Sequence, residues 1–437
     1  MNMINVRRLT VMTFLGAGML SGISAQVSPL QVDTLKETKI PDQWDLQSCI
    51  DYAKEQNITI RKNRITAVST QIDVKTAKAA LFPSLSFSTG HQVVNRPYQE
   101  TSSRVSGSEI ISSNSKTSYN GNYGLNASWT LYNGNKRLKT IQQEKLNNQM
   151  AELDVATSEN NIQESIAQVY IQILYAAESV KVNENTLQVS IAQRDRGQEL
   201  LNAGSIAKSD LAQLEAQVST DRYQLVTAQA TLEDYKLQLK QLLELDGENE
   251  MNIYLPALSD ENVLAPLPTK RDVYISALSL RPEIEASKLN VEASELGINI
   301  AKSSYFPTIS LSAGIGTNHT SGSDFTFGEQ VKNGWNNSIG LSVSVPIFNN
   351  RQTKSAVQKA KLQYETSMLS LLDEQKALYK TIESLWLDAN SAQQRYAAAN
   401  EKLKSTQISY ELISEQFNLG MKNTVELLTE KNNLLQA

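Results

Sequence analysis

Residues 81–86 are Leu-Phe-Pro-Ser-Leu-Ser, and residues 305–310 are Tyr-Phe-Pro-Thr-Ile-Ser. The two segments begin 224 positions apart. Two more pairs of similar segments follow in the same order, each 216 positions apart: 125–133 with 341–349, and 201–204 with 417–420. Self-similarity at a nearly fixed spacing indicates a duplicated structural unit. The sequence therefore predicts repeat 1 over 44–246 and repeat 2 over 271–437, joined by a proline-containing linker at 247–270.

Each repeat contains a long segment with few helix breakers. Between Asn135 and Leu200 there is no Pro and one Gly, and Ala, Gln, Glu, Leu and Lys are abundant. A helix of that length would extend on the order of 100 Å at about 1.5 Å per residue. Its apolar residues recur at steps of three and four, which predicts a narrow apolar stripe and a wide solvated face. A tight turn near residue 204, and its counterpart near residue 420, each lead into another helix.

Apolar and small polar residues alternate between the helices of each repeat. The alternation predicts strands at about 83–95 and 119–132 in repeat 1, and at about 307–317 and 337–348 in repeat 2. These lengths suit tilted strands that cross an outer membrane, although soluble antiparallel sheets show the same alternation. Aromatic residues at the helix-side ends favour the membrane, as an interfacial girdle would. These four residues are Phe82, Tyr132, Phe306 and Phe348.

The number of strands has a consequence for assembly. Four strands cannot close a barrel, because the smallest membrane barrels have about eight and an open edge in lipid leaves backbone groups unpaired. Three copies would supply about twelve strands, an even number that permits antiparallel closure. The sequence therefore predicts an α+β membrane protein whose barrel is completed by a homotrimer in outer-membrane lipid.

The N-terminus predicts export from the cytoplasm. Arg7 and Arg8 precede an apolar stretch over 9–23, as in a secretory signal peptide, which we place at 1–25 and which an N-terminal extension follows at 26–43. A membrane anchor is the alternative. It is disfavoured because about 15 apolar residues are fewer than the roughly 20 that span a bilayer.

Composition excludes several functions. The 41 basic and 46 acidic residues are spread along the chain and give a net charge of −5, so no basic stripe is available for nucleic acid. His91 and His319 have no Cys, Asp or Glu at metal-ligand spacing, and no phosphate loop or nucleophile elbow is present. The sequence therefore predicts no catalytic residues, no cofactor and no metal, and a protein that is not an enzyme.

The doubled order of strand, loop, strand and long helix, with Phe-Pro before the first strand of each half, resembles the TolC-like outer-membrane efflux protein family. The resemblance covers the chain from about Trp44 to its end. It implies a trimeric twelve-stranded β-barrel in the outer membrane, continuous with a long periplasmic α-helical barrel. It also implies a passive exit duct of a tripartite efflux or type I secretion system, which a periplasmic adaptor joins to an inner-membrane pump.

The same resemblance assigns roles to the turns that end the long helices. Adaptor hairpins would dock at Gly204 and Gly420, although a plain helix cap also explains glycine there. The resemblance implies that polar links between neighbouring helices near these turns hold the pore shut, and that acidic residues ring the constriction. By position, Asp210 and Lys422 would form an ion pair, Glu426 would add ring charge and Phe417 would pack where a tyrosine can occur. Thr429 stands where a second acidic residue can occur. Solvated helix-tip charge is the alternative for each charged residue, since exposed ion pairs contribute only about 0–1 kcal/mol.

A periplasmic coiled-coil adaptor or structural scaffold is the alternative function, because long helical hairpins would suit it as well. It does not explain four membrane-length alternating strands with aromatic ends. Only 17 residues follow Gly420, whereas the matching helix after Gly204 is expected to extend for 41, so a truncated last helix is also expected.

Overall fold

The computed structural model describes residues 41–98, 102–106, 109–113, 116–246, 251–256, 263–321, 323 and 325–437. The chain divides into two units, Met1–Asp42 and Gln43–Ala437, and the elements below all belong to the second. The predicted signal peptide at 1–25 and nearly all of the predicted extension at 26–43 lie outside the described residues. No helix within the described residues combines the length and apolarity needed to cross a bilayer.

Helices account for most of the described chain. Repeat 1 contains these helices: α1 Leu46–Gln56, α2 Ile58–Ala79, α3 Lys136–Asn202 and α4 Lys208–Leu242. The first helix of repeat 2 begins one residue earlier than the predicted repeat, at the last residue of the predicted linker. The helices of repeat 2 are α5 Lys270–Leu280, α6 Pro282–Ser303, α7 Phe327–Asn333, α8 Gln352–Asn418 and α9 Thr424–Gln436. The long helices α3 and α8 each have 67 residues. Their equal length follows from the constant spacing of 216 positions, since an insertion within a helix would rotate later side chains off the packing face.

Left-handed residues turn the chain from the sheet into each long helix. Gly134 and Asn135 have φ of 68° and 63° before α3, and Asn350 and Arg351 have φ of 50° and 65° before α8. A Cβ on Gly134 would lie 2.6 Å from the carbonyl oxygen of Ser303 and 2.9 Å from Cβ of Phe306. Glycine is therefore required there both by its φ and by the close approach of α6.

A four-stranded antiparallel sheet joins the two repeats. Its order is β1–β4–β5–β6, so the central pair takes one strand from each repeat. The bounds of the strands are β1 Ser84–Asn95, β4 Thr117–Asn133, β5 Thr308–Thr320 and β6 Asn336–Ser344. Within the described residues, β1 and β6 each have one edge without a neighbouring strand.

The register separates the two faces of this sheet. Directly opposed residues point to the same face. One cross-strand row is apolar: Leu85, Ala127, Ala313 and Ile339. The next row is small and polar: Ser86, Asn126, Gly314 and Ser338. A β-bulge at Leu131 then places Tyr132 opposite Ile309, on the apolar face. The apolar face is largely uncovered, because Leu85 is 70% and Ile339 is 78% exposed.

Three features differ from the sequence-based prediction. The fourth predicted strand extends to residue 348, but β6 ends at Ser344. Pro346 explains the early end, because proline lacks an amide hydrogen and restricts the residue before it. The segments between the two strands of each repeat, which the order of strand, loop and strand predicts to be loops, contain regular structure. They form a hairpin of β2 Ser102–Ser106 with β3 Glu109–Ser113 in repeat 1, and the helix α7 in repeat 2.

The largest buried cluster lies where α1, α3 and α4 meet the start of the linker. Trp44 is 1% exposed, and its amide and carbonyl groups pair with Asn252 and Tyr254, both at 2.8 Å. The hydroxyl of Tyr170 donates to the carbonyl oxygen of Tyr254 at 2.5 Å. Cys49 is fully buried here, and burial, aided by the charge of Asp45, raises the pKa of its thiol to about 12.

The end of the linker is held against α8 by side chains of that helix. The indole of Trp386 donates to the carbonyl oxygen of Pro268 at 3.0 Å, and the amide of Gln393 donates to the carbonyl oxygens of Val263 and Ala265 at 2.9 and 2.8 Å. These bonds satisfy backbone acceptors in a segment that has no regular structure of its own. The described end of the linker is therefore packed along α8.

Candidate functional site at the helix tips

Both long helices end in the same backbone motif. The amide of Gly204 donates to the carbonyl of Leu201, and that of Ser205 donates to the carbonyl of Leu200, at 2.9 and 2.8 Å. In repeat 2 the equivalent bonds run from Gly420 to Phe417 and from Met421 to Gln416, at 2.9 and 2.8 Å. Paired bonds of this kind define a Schellman motif, whose turn residue takes a left-handed conformation.

Gly204 and Gly420 are the turn residues of these motifs. Their φ values are 71° and 74°, and a Cβ built on either one would have no heavy atom within 4 Å. The glycines are therefore explained by backbone conformation and not by crowding within the chain. Both turns are therefore accessible from outside the chain. The predicted docking role requires this access, and a plain helix cap would also show it.

Asp210 and Glu426 begin the helices that follow the turns. Each is the third residue of its helix and accepts a hydrogen bond from the backbone amide before that helix, from Ala207 at 3.0 Å and from Asn423 at 3.2 Å. The ammonium group of Lys422 lies 2.5 Å from Oε1 of Glu426. The hydrogen bond from Lys422, followed by that from the amide of Asn423, lowers the pKa of the Glu426 carboxyl. Both acidic residues thus have a local role as helix caps.

The remaining predicted gate residues are only partly brought together. Asp210 and Lys422 do not pair within the chain, because Asp210 caps α4 and Lys422 binds Glu426. Phe417 is 3% exposed at the end of α8, so it packs in the hairpin interior. The hydroxyl of Thr429 donates to the carbonyl of Val425 on its own helix at 2.7 Å. Within the described chain, Asp210 and Lys422 therefore each have a different partner.

A buried ion pair near the tips was missed by the sequence analysis. The ammonium group of Lys431 on α9 lies 2.5 Å from Oδ2 of Asp221 on α4, and their side chains are 5% and 1% exposed. The hydroxyl of Ser190 on α3 contacts both groups, and the amide of Gln217 donates to the other carboxylate oxygen at 2.8 Å. The group joins three helices from both repeats.

The helical spacing of buried positions in the sequence points to both residues of this ion pair. Asp221 continues the buried stripe of α4 at helical steps, after Leu211, Leu214 and Val218. Lys431 follows Leu427 by four residues on the buried face of α9. A charged residue at an apolar-stripe position is rarely buried without a partner. This rule identifies Asp221 and Lys431 as candidates for buried charged residues, although it does not show that they pair with each other.

A second contact between the repeats joins α3 to α8. The side-chain amide of Gln193 on α3 donates to the hydroxyl of Tyr410 on α8 at 2.9 Å. Burial raises the pKa of Tyr410. The hydroxyl of Ser409 donates to the carboxylate of Glu430 on α9 at 3.2 Å. Polar side chains thus connect the two repeats at two levels near the tips, and they also connect α8 with α9 within repeat 2.

The predicted girdle residues lie at the other end of the long helices. Phe82, Phe306 and Phe348 are 73%, 52% and 83% exposed, and Tyr132 is half-buried. Beside these residues, the indole of Trp129 donates a hydrogen bond to the carbonyl oxygen of Leu81 at 2.7 Å.

No part of the described chain groups three or more His, Cys, Asp or Glu residues as a metal site would.

Comparison with known proteins agrees with this architecture. A family model described as outer membrane efflux protein matches residues 49–244 and 273–437. The chain belongs to the outer membrane efflux protein family. This membership confirms the predicted TolC-like relationship and the predicted outer-membrane localisation.

Individual members of the family are distant in sequence. Outer membrane efflux protein BepC of Brucella suis is 24% identical over 279 residues, which span 63% of this chain and 58% of BepC. Outer membrane protein TolC of Escherichia coli is 24% identical over 280 residues, which span 62% of this chain and 55% of TolC. The matched segments thus span little more than half of these relatives.

Solved structures share the fold over more of the chain. A crystal structure of CusC superposes with a TM-score of 0.75 at 19% identity, covering 90% of this chain and 86% of that one. The outer membrane protein VceC from Vibrio cholerae gives a TM-score of 0.73 at 16% identity, covering 90% of both chains.

Proposed function

We propose that this protein is the outer-membrane channel component of a tripartite efflux or type I secretion system. It acts as a passive duct, and an inner-membrane pump drives its cargo through a periplasmic adaptor. The observation that carries the proposal is a sheet with one exposed apolar face, one small polar face and, among the described strands, two unpaired edges. The sheet is continued by 67-residue helices.

The unpaired edges support a homotrimer. An open edge inside a bilayer leaves amide and carbonyl groups without partners, which costs several kcal/mol for each group. Pairing of β1 from one copy with β6 of the next satisfies both edges. Three copies contribute twelve strands and place the two-strand hairpin β2–β3 and helix α7 at the distal rim.

The two faces of the sheet suit a water-filled barrel. The apolar row that contains Leu85 and Ile339 would contact hydrocarbon, while the row that contains Ser86 and Ser338 would line the lumen. Their small polar side chains leave room for cargo. The long helices, which have wide solvated faces, would continue the passage as an α-helical barrel in the periplasm.

The helix tips are the proposed gate and docking region. Gly204 and Gly420 would receive adaptor hairpins, since their turns are open. Asp210, Phe417, Lys422 and Glu426 would line or stabilise the closed end. The buried pair of Asp221 and Lys431 would hold the hairpins of the two repeats together in that state, because separating them would expose both charges.

In this proposal the partner pump selects the class of cargo. Relatives carry names as different as toxin and drug export protein A, pyoverdine export outer membrane protein OpmQ and cation efflux system protein CusC. No cofactor and no catalytic step are proposed for this chain. Identification of the adaptor and pump encoded beside the gene would specify the cargo class.

Conductance and membrane extraction test the proposal against the scaffold alternative. A barrel component stays in outer-membrane fractions after an alkaline wash and forms ion-conducting pores in planar bilayers. A periplasmic scaffold leaves the membrane in the wash and forms no pores. The exposed apolar face of the sheet favours the barrel, because a soluble scaffold would not present it to water.

A further inference from the structure

A cavity lies where strand β4 meets the first turn of helix α3. Its volume is about 270 Å³, and its apolar walls include Leu81, Trp129, Leu131 and Leu138. Arg137 is the charged residue of the lining. Trp129 lies in the same cross-strand row as Leu311 and so belongs to the exposed apolar face. Tyr132, Asn133 and Asn135 complete the lining, so the cavity combines apolar walls with uncharged polar side chains and one guanidinium group.

The guanidinium of Arg137 is incompletely paired. Its Nη1 donates to the carbonyl oxygen of Ala80 at 3.0 Å, which fixes the side chain against the end of α2. Its Nε is buried and has no hydrogen-bond partner, and Arg137 forms no ion pair with a described carboxylate. An arginine has five donors in a planar fork that matches phosphate and carboxylate oxygens. The cavity thus holds unused donor capacity for an anion.

All four helices that adjoin the sheet carry basic residues at the ends next to the sheet. No Asp or Glu occurs at 74–79, 136–143, 298–303 or 352–359. These segments, with the residue before α8, contain the following basic residues among others: Lys78, Lys136, Arg137, Lys302, Arg351 and Lys354. The cations at the starts of α3 and α8 oppose the helix macrodipole, and neither helix has an acidic residue in its first turn. A layer of anions outside the protein, next to these helix ends, would balance this positive charge.

We propose that the cavity at Arg137 binds the phosphate of a glycerophospholipid from the leaflet on the helical side of the membrane. The phosphate would accept hydrogen bonds from the guanidinium, and the first acyl carbons would lie against Leu131, Leu138 and Trp129. Tryptophan and arginine at one interface combine an amphipathic ring with a headgroup contact. The proposal rests on the proposed insertion of the sheet into the membrane.

Native mass spectrometry of the full-length protein in mild detergent tests this site. Phosphatidylglycerol is titrated into wild type, Arg137→Gln and Arg196→Gln, where Arg196 is an exposed arginine paired with Glu199 at the far end of α3. We expect about tenfold weaker lipid retention for Arg137→Gln, the loss expected for one charge-assisted hydrogen bond, and no change for Arg196→Gln. Equal retention by all three proteins overturns the proposal.

A second pair of variants covers the case in which Arg137→Gln fails to fold. Leu138 is 52% exposed at the cavity, so Leu138→Glu adds a carboxylate and Leu138→Gln is its uncharged match. Weaker retention by the Glu variant alone supports the site, and equal retention by both contradicts it. Excess inorganic phosphate is added in a parallel arm. Full displacement of the lipid by phosphate would show a phosphate site and overturn the assignment to lipid.

The outcomes separate this proposal from the proposed channel function. A wild-type protein that leaves the membrane in an alkaline wash contradicts both. A wild-type protein that stays inserted and conducts ions, but whose Arg137→Gln variant retains as much lipid, contradicts only the lipid site.

Discussion

Nζ of Lys431 lies 2.5 Å from Oδ2 of Asp221, and this contact ties the last helix of repeat 2 to the hairpin of repeat 1. Both side chains are almost fully buried. Attraction between buried charges roughly offsets their desolvation, so the pair adds little net stability over apolar residues. It penalises any arrangement that separates the two groups. The pair therefore specifies how the hairpins align.

Removal of the positive partner should destabilise the protein strongly. Lys431→Met leaves the Asp221 carboxylate buried without its counterion, which costs about 3–5 kcal/mol in the free energy of unfolding. The double variant Asp221→Leu with Lys431→Met should recover most of that loss. Guanidinium unfolding followed by circular dichroism measures both. Lys422→Met is the control, because its pair with Glu426 is partly exposed, at 33% and 40%, and contributes about 0–1 kcal/mol. Similar losses in Lys431→Met and Lys422→Met would contradict the assignment.

The same pair should influence channel opening. If the tips open by separation of α9 from α4, Asp221→Asn removes the charge that resists this separation. We expect the variant to spend a larger fraction of time in conducting states in planar bilayers. Asp210→Asn is compared in parallel, since Asp210 caps its own helix. An unchanged open fraction in Asp221→Asn would remove the buried pair from the gate.

The turn glycines should be costly to replace for a backbone reason alone. Gly204→Ala and Gly420→Ala each force a Cβ into a left-handed conformation, which lowers the free energy of unfolding by about 1–2 kcal/mol. Gly328→Ala is the matched control, because its added Cβ also meets nothing within 4 Å and its φ is not positive. Thermal unfolding should shift down for the first two and not for the third. A wild-type transition in Gly204→Ala would exclude backbone strain.

The buried cysteine gives a prediction on pH dependence. The pKa of Cys49 is about 12 in the folded protein and near 9.0 when the thiol is free, so folding favours the protonated thiol. Its contribution to stability is complete below pH 9 and is lost as the pH rises from 9 towards 12. Iodoacetamide at pH 8 should leave Cys49 unmodified in the folded protein and modify it after denaturation. Rapid modification of the folded protein, read by intact mass, would contradict this burial.

Periodicity was the most informative part of the sequence. Alternation at Leu85 and Phe87 indicates a strand even when the neighbouring strands are not known. The repeated glycines at 204 and 420 indicate turns, because the φ angle is a local property of the backbone. Family membership and outer-membrane localisation followed from the order of these local signals. The early end of β6 had a local cause in Pro346, which the prediction overlooked.

Other features depended on contacts between distant segments. Asp221 and Lys431 are 210 residues apart, and their pairing depends on how α4 and α9 pack. The bulge at Leu131 appears only in the register between β4 and β5. The cavity at Arg137 likewise requires the ends of α2, β4 and α3 to meet. Sequence patterns within one element do not contain this information.

In the proposed assembly, three copies close one barrel through the edges of β1 and β6. Size-exclusion chromatography with light scattering in detergent, corrected for bound detergent, measures the number of chains directly. The account predicts a particle that contains three chains. A single chain, or a protein that stays soluble and monodisperse without detergent, would contradict it.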